Sequence, residues 1–254
     1  MKLSRKYFVI YITGTFLLMI TLLVLGLGQV LAGVITMIVV ISWYIYNFIY
    51  PLKKMIKLLE EECNPEGFLD ILIKLKEKCS ENSIINQYIF DINEAVGLMA
   101  LGKYELAKQI IENIDISKHS SRNSFVITYY IDLVSCRYAL SEIDEANELF
   151  ETKIPSYSNF NKKVKLAIES IILERYLLQD KYEEAKDKIN EIKNAYKLTK
   201  RQKLHLIYSE ALIDEKENNK EKAIKKYNKI IKNGNKLYLV EEAKLRLNLN
   251  MKKA

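Results

Sequence analysis

Gly102-Lys103-Tyr104-Glu105-Leu106-Ala107 reads as a turn running into a helix, and the chain repeats it. The related stretches are Ser141-Glu142-Ile143-Asp144-Glu145-Ala146, Asp180-Lys181-Tyr182-Glu183-Glu184-Ala185 and Asn218-Asn219-Lys220-Glu221-Lys222-Ala223. Their alanines, at 107, 146, 185 and 223, are spaced by 39, 39 and 38 residues. Gly, Ser, Asp or Asn supplies turn or cap chemistry at the start of each copy. Acidic residues follow where a helix dipole is positive. Beyond each alanine, apolar residues return at helical spacing: Ile110, Ile111 and Ile114, then Leu149 and Phe150, then Ile189 and Ile192, then Tyr227, Ile230 and Ile231. Each set makes one apolar stripe, and the small alanine lets a neighbouring helix come close.

A second helical pattern precedes each turn, over about 84–101, 123–140, 164–178 and 200–217. The unit is therefore helix, turn, helix. One such pair cannot bury its own apolar face, so the pairs must stack. Asn64-Pro65 opens a further helix, to about Cys79, that would cap the N-terminal end of the stack. Leu237 to Leu249 gives a final amphipathic helix to cap the other end.

These turns resemble the tetratricopeptide repeat family, in which a glycine is followed by an aromatic and then, three residues on, by an alanine. Gly102, Tyr104 and Ala107 match in full, and Tyr182 and Ala185 match with Asp180 in the glycine place. The second and fourth copies keep mainly the alanine. Small residues Ala95, Ser135 and Ala211 fall near the family's small position in the first helix, and Tyr138 and Tyr176 near its later aromatic. The period is longer than the family's typical ~34 residues, and the large aromatic early in the first helix is missing. The resemblance covers about residues 84–232 and implies an α-solenoid of stacked antiparallel helix pairs.

In that family the first helix of each pair lines a concave surface that takes an extended peptide or a helix. The resemblance therefore implies partner-binding residues: Ile92, Val96 and Met99; Ile131, Ser135 and Tyr138; Ser170, Glu174 and Leu177; and His205, Tyr208 and Leu212. The alternative is that about half of these are core between helices. The Lys/Asn clamp that some members use for a C-terminal carboxylate is not visible at these positions, which argues against a chaperone-tail adaptor.

The N-terminal part is chemically different. From Tyr7 to Leu52 there is no Asp, Glu, Lys, Arg or His. About 20 apolar residues cross the roughly 30 Å hydrocarbon core, so this block holds two spans, about Tyr7–Leu25 and Val30–Ile49. Gly26-Leu27-Gly28-Gln29 makes the turn between them. Lys2, Arg5 and Lys6 precede the first span, and Lys53, Lys54 and Lys57 follow the second. Basic flanks stay in the cytoplasm, so both termini are expected there, at the cell membrane. Tyr7, Phe8 and Tyr11 at one end, and Trp43, Tyr44, Tyr46 and Tyr50 at the other, suit an interfacial aromatic belt. A cleaved signal peptide ending near Val30-Leu31-Ala32 is the competing reading. The long apolar stretch and the second span that follows at once weigh against it. The division expected is a transmembrane hairpin (1–52), a juxtamembrane connector and cap helix (53–83), and the helix-pair array with its C-terminal cap (84–254). The connector's basic start could also touch anionic lipid headgroups.

Charge narrows the partners. Setting aside Lys2, Arg5 and Lys6 leaves 36 basic against 32 acidic residues. That is a mixed, solvated surface, not the basic stripe that nucleic acid requires. Beyond the apolar block only Pro51, Pro65, Pro155, Gly67, Gly97, Gly102 and Gly234 interrupt the helices. Cys63, Cys79 and Cys136 have no metal-ligand spacing and read as reduced. His119 and His205 stand apart and read as surface or cap residues. No phosphate loop or nucleophile elbow occurs. The expectation is a non-enzymatic, cofactor-free scaffold that recruits a protein or peptide at the bilayer. The alternatives are an accessory subunit acting through its hairpin, helped by Gly14, Gly26, Gly33 and the threonines at 13, 15, 21 and 36, and a peptide-sensing regulator.

Overall fold

The four repeated turns fold alike. In the computed structural model, which describes residues 3–119, 123–154 and 161–252, the second residue after each first helix takes a left-handed conformation: Gly102 at φ 76°, Ser141 at 63°, Asp180 at 54° and Asn218 at 60°. The next amide then reaches back five residues. Lys103 donates to the Leu98 carbonyl at 2.9 Å, Glu142 to Arg137 at 2.9 Å, Lys181 to Tyr176 at 2.9 Å and Asn219 to Asp214 at 2.8 Å. This is the Schellman closure, which satisfies carbonyls that a helix end leaves orphaned. Asn and Asp tolerate the left-handed region better than other side chains. Glycine is kept at 102 for a second reason: a Cβ there would stand 2.9 Å from Cβ of Tyr238.

Each turn joins two antiparallel helices: α5 (Ile84–Ala100) to α6 (Tyr104–Glu112), α7 (Asn123–Ala139) to α8 (Ile143–Lys153), α9 (Lys162–Leu178) to α10 (Tyr182–Ala195), and α11 (Lys200–Lys216) to α12 (Lys220–Asn233). The pairs pack within themselves, and α5 also lies against α7 and α7 against α9. Ala107, Ala146, Ala185 and Ala223 are all 0 % exposed, so each second helix meets its partner at its alanine. N-caps fix three starts. Ser83 accepts from the Asn86 amide, Asn161 from Lys163 and Val164, and Thr199 with Gln202 forms a capping box. The chain is all-α, with no strand among the described residues.

Two apolar helices precede the array, α1 (Arg5–Val24) and α2 (Gln29–Tyr44). They pack on each other through Ala32, Thr36 and the Tyr11–Trp43 ring contact at 5.0 Å. Helix α1 and the longer continuous helix that α2 begins, Gln29–Glu60, are long and apolar enough to cross a membrane. None of the apolar window of α1 is buried and only 11 % of that in the α2 helix, so these are not core helices. Thr15, Thr21 and Thr36 each donate to a carbonyl of their own helix at 2.8 Å, which leaves their hydroxyl protons nothing to give a neighbour.

No loop separates hairpin from array. The second helix widens into a π-turn, Ile45–Ile49, and continues as α3 (Tyr50–Glu60). Pro51 explains the widening: it lacks the N–H that the Asn47 carbonyl would use, and its ring crowds that carbonyl. Phe48 at the π-turn is already buried in the array's core beside Met55 and Leu59. Leu3 and Ser4 are also tied in, the Ser4 amide donating to the Lys78 carbonyl at 3.0 Å. The line drawn at residue 52 thus falls inside a continuous helix. A fragment starting at 53 would lose Phe48 and Leu3 from its packing.

The stack also curls. Helix α4 (Pro65–Lys78) caps α5, as its Asn64 N-cap and Pro65 suggest. Yet α3 and α4 share one core with α11, α12 and the final helix α13 (Tyr238–Lys252). The turn before α4 meets the turn before α13: Lys236 N–H donates to the Cys63 carbonyl at 3.1 Å and Asn235 to Glu62 at 2.9 Å. Beginning and end of the array cover each other's apolar faces, where an open solenoid would need two separate caps. Lys2, Pro155 and the chain ends at 1 and 254 lie outside the described residues.

Candidate functional site

The curl turns the concave face into a cavity of about 420 Å³. Its walls are first helices: α5 gives Val96 and Met99, α7 Ile131 and Ser135, α9 Ser170, Glu174 and Leu177, and α11 His205, Tyr208 and Leu212. Ten of the twelve residues implied by the repeat resemblance therefore face one space. The other two are packing. Ile92 is buried with Tyr88 and Ile114. Tyr138 is buried against α8 and α9, its hydroxyl donating to Asn147 Oδ1 at 2.8 Å.

Sequence reading missed six polar members of the lining: Tyr104, Asp132, Arg201, Gln202, Ser209 and Tyr238. Tyr104 stands on a second helix and Tyr238 on α13, which serves as a wall as well as a cap. Their rings meet edge to face at 5.5 Å. Asp132 had a visible signal, being the only acid between Phe125 and Ala139.

Arg201 is committed elsewhere. Its Nε and Nη2 donate to Glu60 Oε1 at 3.0 and 2.7 Å, and the Thr199 hydroxyl donates to Glu60 Oε2 at 2.6 Å. This clasp fastens α3 to the start of α11 at the cavity rim. A forked pairing of this kind fixes geometry as well as charge.

The two carboxyls of the lining have no such partner. Neither Asp132 nor Glu174 is in an ion pair among the described residues. Asp132 Oδ2 is sealed from solvent without a hydrogen-bond donor, and so is Nε2 of His205. Burial pushes the Asp132 carboxyl up to about 7, against a smaller pull from the Arg201 charge. Burial pushes Glu174 up to about 7 as well. His205 is driven down to about 3, first by burial and then by Arg201, so its imidazole is neutral. The cavity is thus apolar over most of its wall, with two carboxyls poised between charged and neutral near physiological pH.

The histidines are not surface residues. His205 lines the cavity. His119 is 4 % exposed and lies beside the stacked rings of Tyr88 and Phe125, at 4.7 and 5.7 Å. All three cysteines are buried, and burial raises the Cys136 thiol to about 12, far from a reactive thiolate. No group of three metal-ligating side chains occurs among the described residues. No family model, curated protein or solved structure matches the chain.

Proposed function

We propose that this chain is a membrane-anchored scaffold whose tetratricopeptide-like array holds a polypeptide partner at the cytoplasmic face of the cell membrane. The observation that carries the reading is the cavity: first helices of all four pairs converge on one apolar space with a few polar groups, the usual make-up of a binding site. Membrane confinement raises the partner's effective concentration there. Photo-crosslinking tests it. A crosslinker at Leu212, inside the cavity, should capture a defined protein in cells, and one at Leu106, exposed on α6, should not. Equal capture from both positions, or none from Leu212, would sink the proposal.

The anchor reading draws on exposed apolar side chains. Phe8, Phe16, Leu17, Val30 and Met37 are each more than half exposed, a surface that water would penalise and lipid would not. The Leu3–Cys79 and Ser4–Lys78 contacts tie the segment before α1 to the end of α4, which supports reading α1 as part of the anchor. A tag on Ala254 should resist protease in intact right-side-out cells and be lost once the membrane is opened. Loss from intact cells would put the array outside.

A second reading, a peptide-sensing regulator, is favoured by the unbroken α2–α3 connection and the Glu60–Arg201 clasp. Occupancy of the cavity would then be felt at the helix that enters the bilayer.

A further inference from the structure

We infer that the cavity selects a partner segment carrying a lysine or arginine flanked by apolar residues, its cationic head drawn to the acids of the wall, Asp132 and Glu174. The inference rests on the array being a polypeptide-binding site, as proposed above, and adds which residue it reads.

The argument is charge complementarity inside an apolar container. Of the charged side chains in the lining, Asp132 and Glu174 are anionic and Arg201 is cationic. Arg201 is already neutralised by Glu60, which stands outside the cavity wall. The lining alone therefore presents two acids with no counter-ion of their own. Asp132 Oδ2 has no donor at all. Burying such groups costs free energy unless they are paired, and the chain offers two ways out: a proton, or a cation from elsewhere. The rest of the wall, including Val96, Met99, Ile131 and Leu212, suits an aliphatic stem and its apolar neighbours. A free metal ion would find only these two carboxylates, too few ligands for an all-protein site.

Proton and cation compete for the same negative charge. Asp132 faces Tyr88 from α5, Cys136 on its own helix, and Arg201 from α11. Glu174 faces Tyr104 from α6, Cys136 and Tyr138 from α7, and Tyr238 from α13. The thiol and phenols remain neutral below pH 9, because burial raises each of them. His205 is neutral down to about 3. The two carboxyls are then the groups that change charge between pH 5 and 8, and lowering the pH should weaken binding.

The test is selection of a random peptide library on the full-length protein in nanodiscs. Enriched peptides should carry Lys or Arg between apolar residues. Replacing that Lys by norleucine should weaken binding roughly 10- to 100-fold, the worth of a charge-assisted hydrogen bond. Asp132→Asn with Glu174→Gln should remove the Lys preference while the protein keeps its helicity. Independently of any variant, the wild-type affinity for an enriched peptide should fall as pH goes from 8 to 6. Enrichment of neutral or acidic peptides, or a flat pH profile, would overturn the inference and leave the scaffold reading standing. Enrichment of nothing would overturn both.

Discussion

Arg201→Ala should lower the stability of the array by about 2–3 kcal/mol, a fall of roughly 5–10 °C in apparent Tm for a chain of this size. Glu60 receives three hydrogen bonds, two from Arg201 and one from Thr199. Its side chain is 18 % exposed and that of Arg201 22 %. Removing the guanidinium leaves a largely desolvated carboxylate with one hydroxyl donor. Fully buried pairs lose about 3–5 kcal/mol when one partner is deleted, and the residual exposure here reduces that. Arg201→Lys should recover only part of the loss, because an ammonium cannot reproduce the forked contact. Lys244→Ala is the control, since its pair with Glu241 is surface-exposed and such pairs are worth ~0–1 kcal/mol. A thermal melt of the three variants in nanodiscs decides it. If Arg201→Ala melts within 1 °C of wild type, the clasp does not hold α3 to α11.

That clasp marks the boundary of what the sequence can disclose. Local features are legible. The spacing of Ala107, Ala146, Ala185 and Ala223 locates four helix pairs, because a left-handed turn residue and a small contact residue are both local demands. Helix ends follow to within two residues: α9 starts at Lys162 where the pattern suggests 164. Apolarity from Tyr7 to Leu52 locates the hairpin for the same reason. What brings Glu60 beside Arg201 is not local, since they stand 141 positions apart. It depends on the small rotation between successive pairs, summed over the array until α11 and α3 meet. Period and composition carry no measure of that sum. The same gap explains the histidines. His205 in an open solenoid would be solvated, whereas the curl places it in a cavity wall. Residues of the concave face were readable as a set because first helices share a face in any such stack. Tyr238 was not, because α13 reaches the cavity only through the closure.

Asp132 and Glu174 should make the fold less stable as pH rises, and neutral isosteres should relieve this. In the folded chain both carboxyls sit near 7, while in the unfolded chain they titrate near 4. Between those values the folded state binds more protons than the unfolded state. Their contribution is therefore fully present below about pH 4 and is lost as pH rises through 7. Moving a carboxyl that far corresponds to a ceiling of roughly 4 kcal/mol per group at full burial. Both side chains are partly open to the cavity, so about 2 kcal/mol each is the expected size. Asp132→Asn and Glu174→Gln should accordingly raise the apparent Tm at pH 8 by several degrees and change it little at pH 5. Equal effects at the two pH values would mean that the carboxylates are already hydrated or paired. A gain confined to pH 8 would mean that the chain keeps two destabilising acids in an otherwise apolar wall. Substitutions that remove such groups are easily found, and the recurrent cost of making them is function. Stability gained at pH 8 together with lost selection of basic peptides would tie the strain at Asp132 and Glu174 to what the cavity binds.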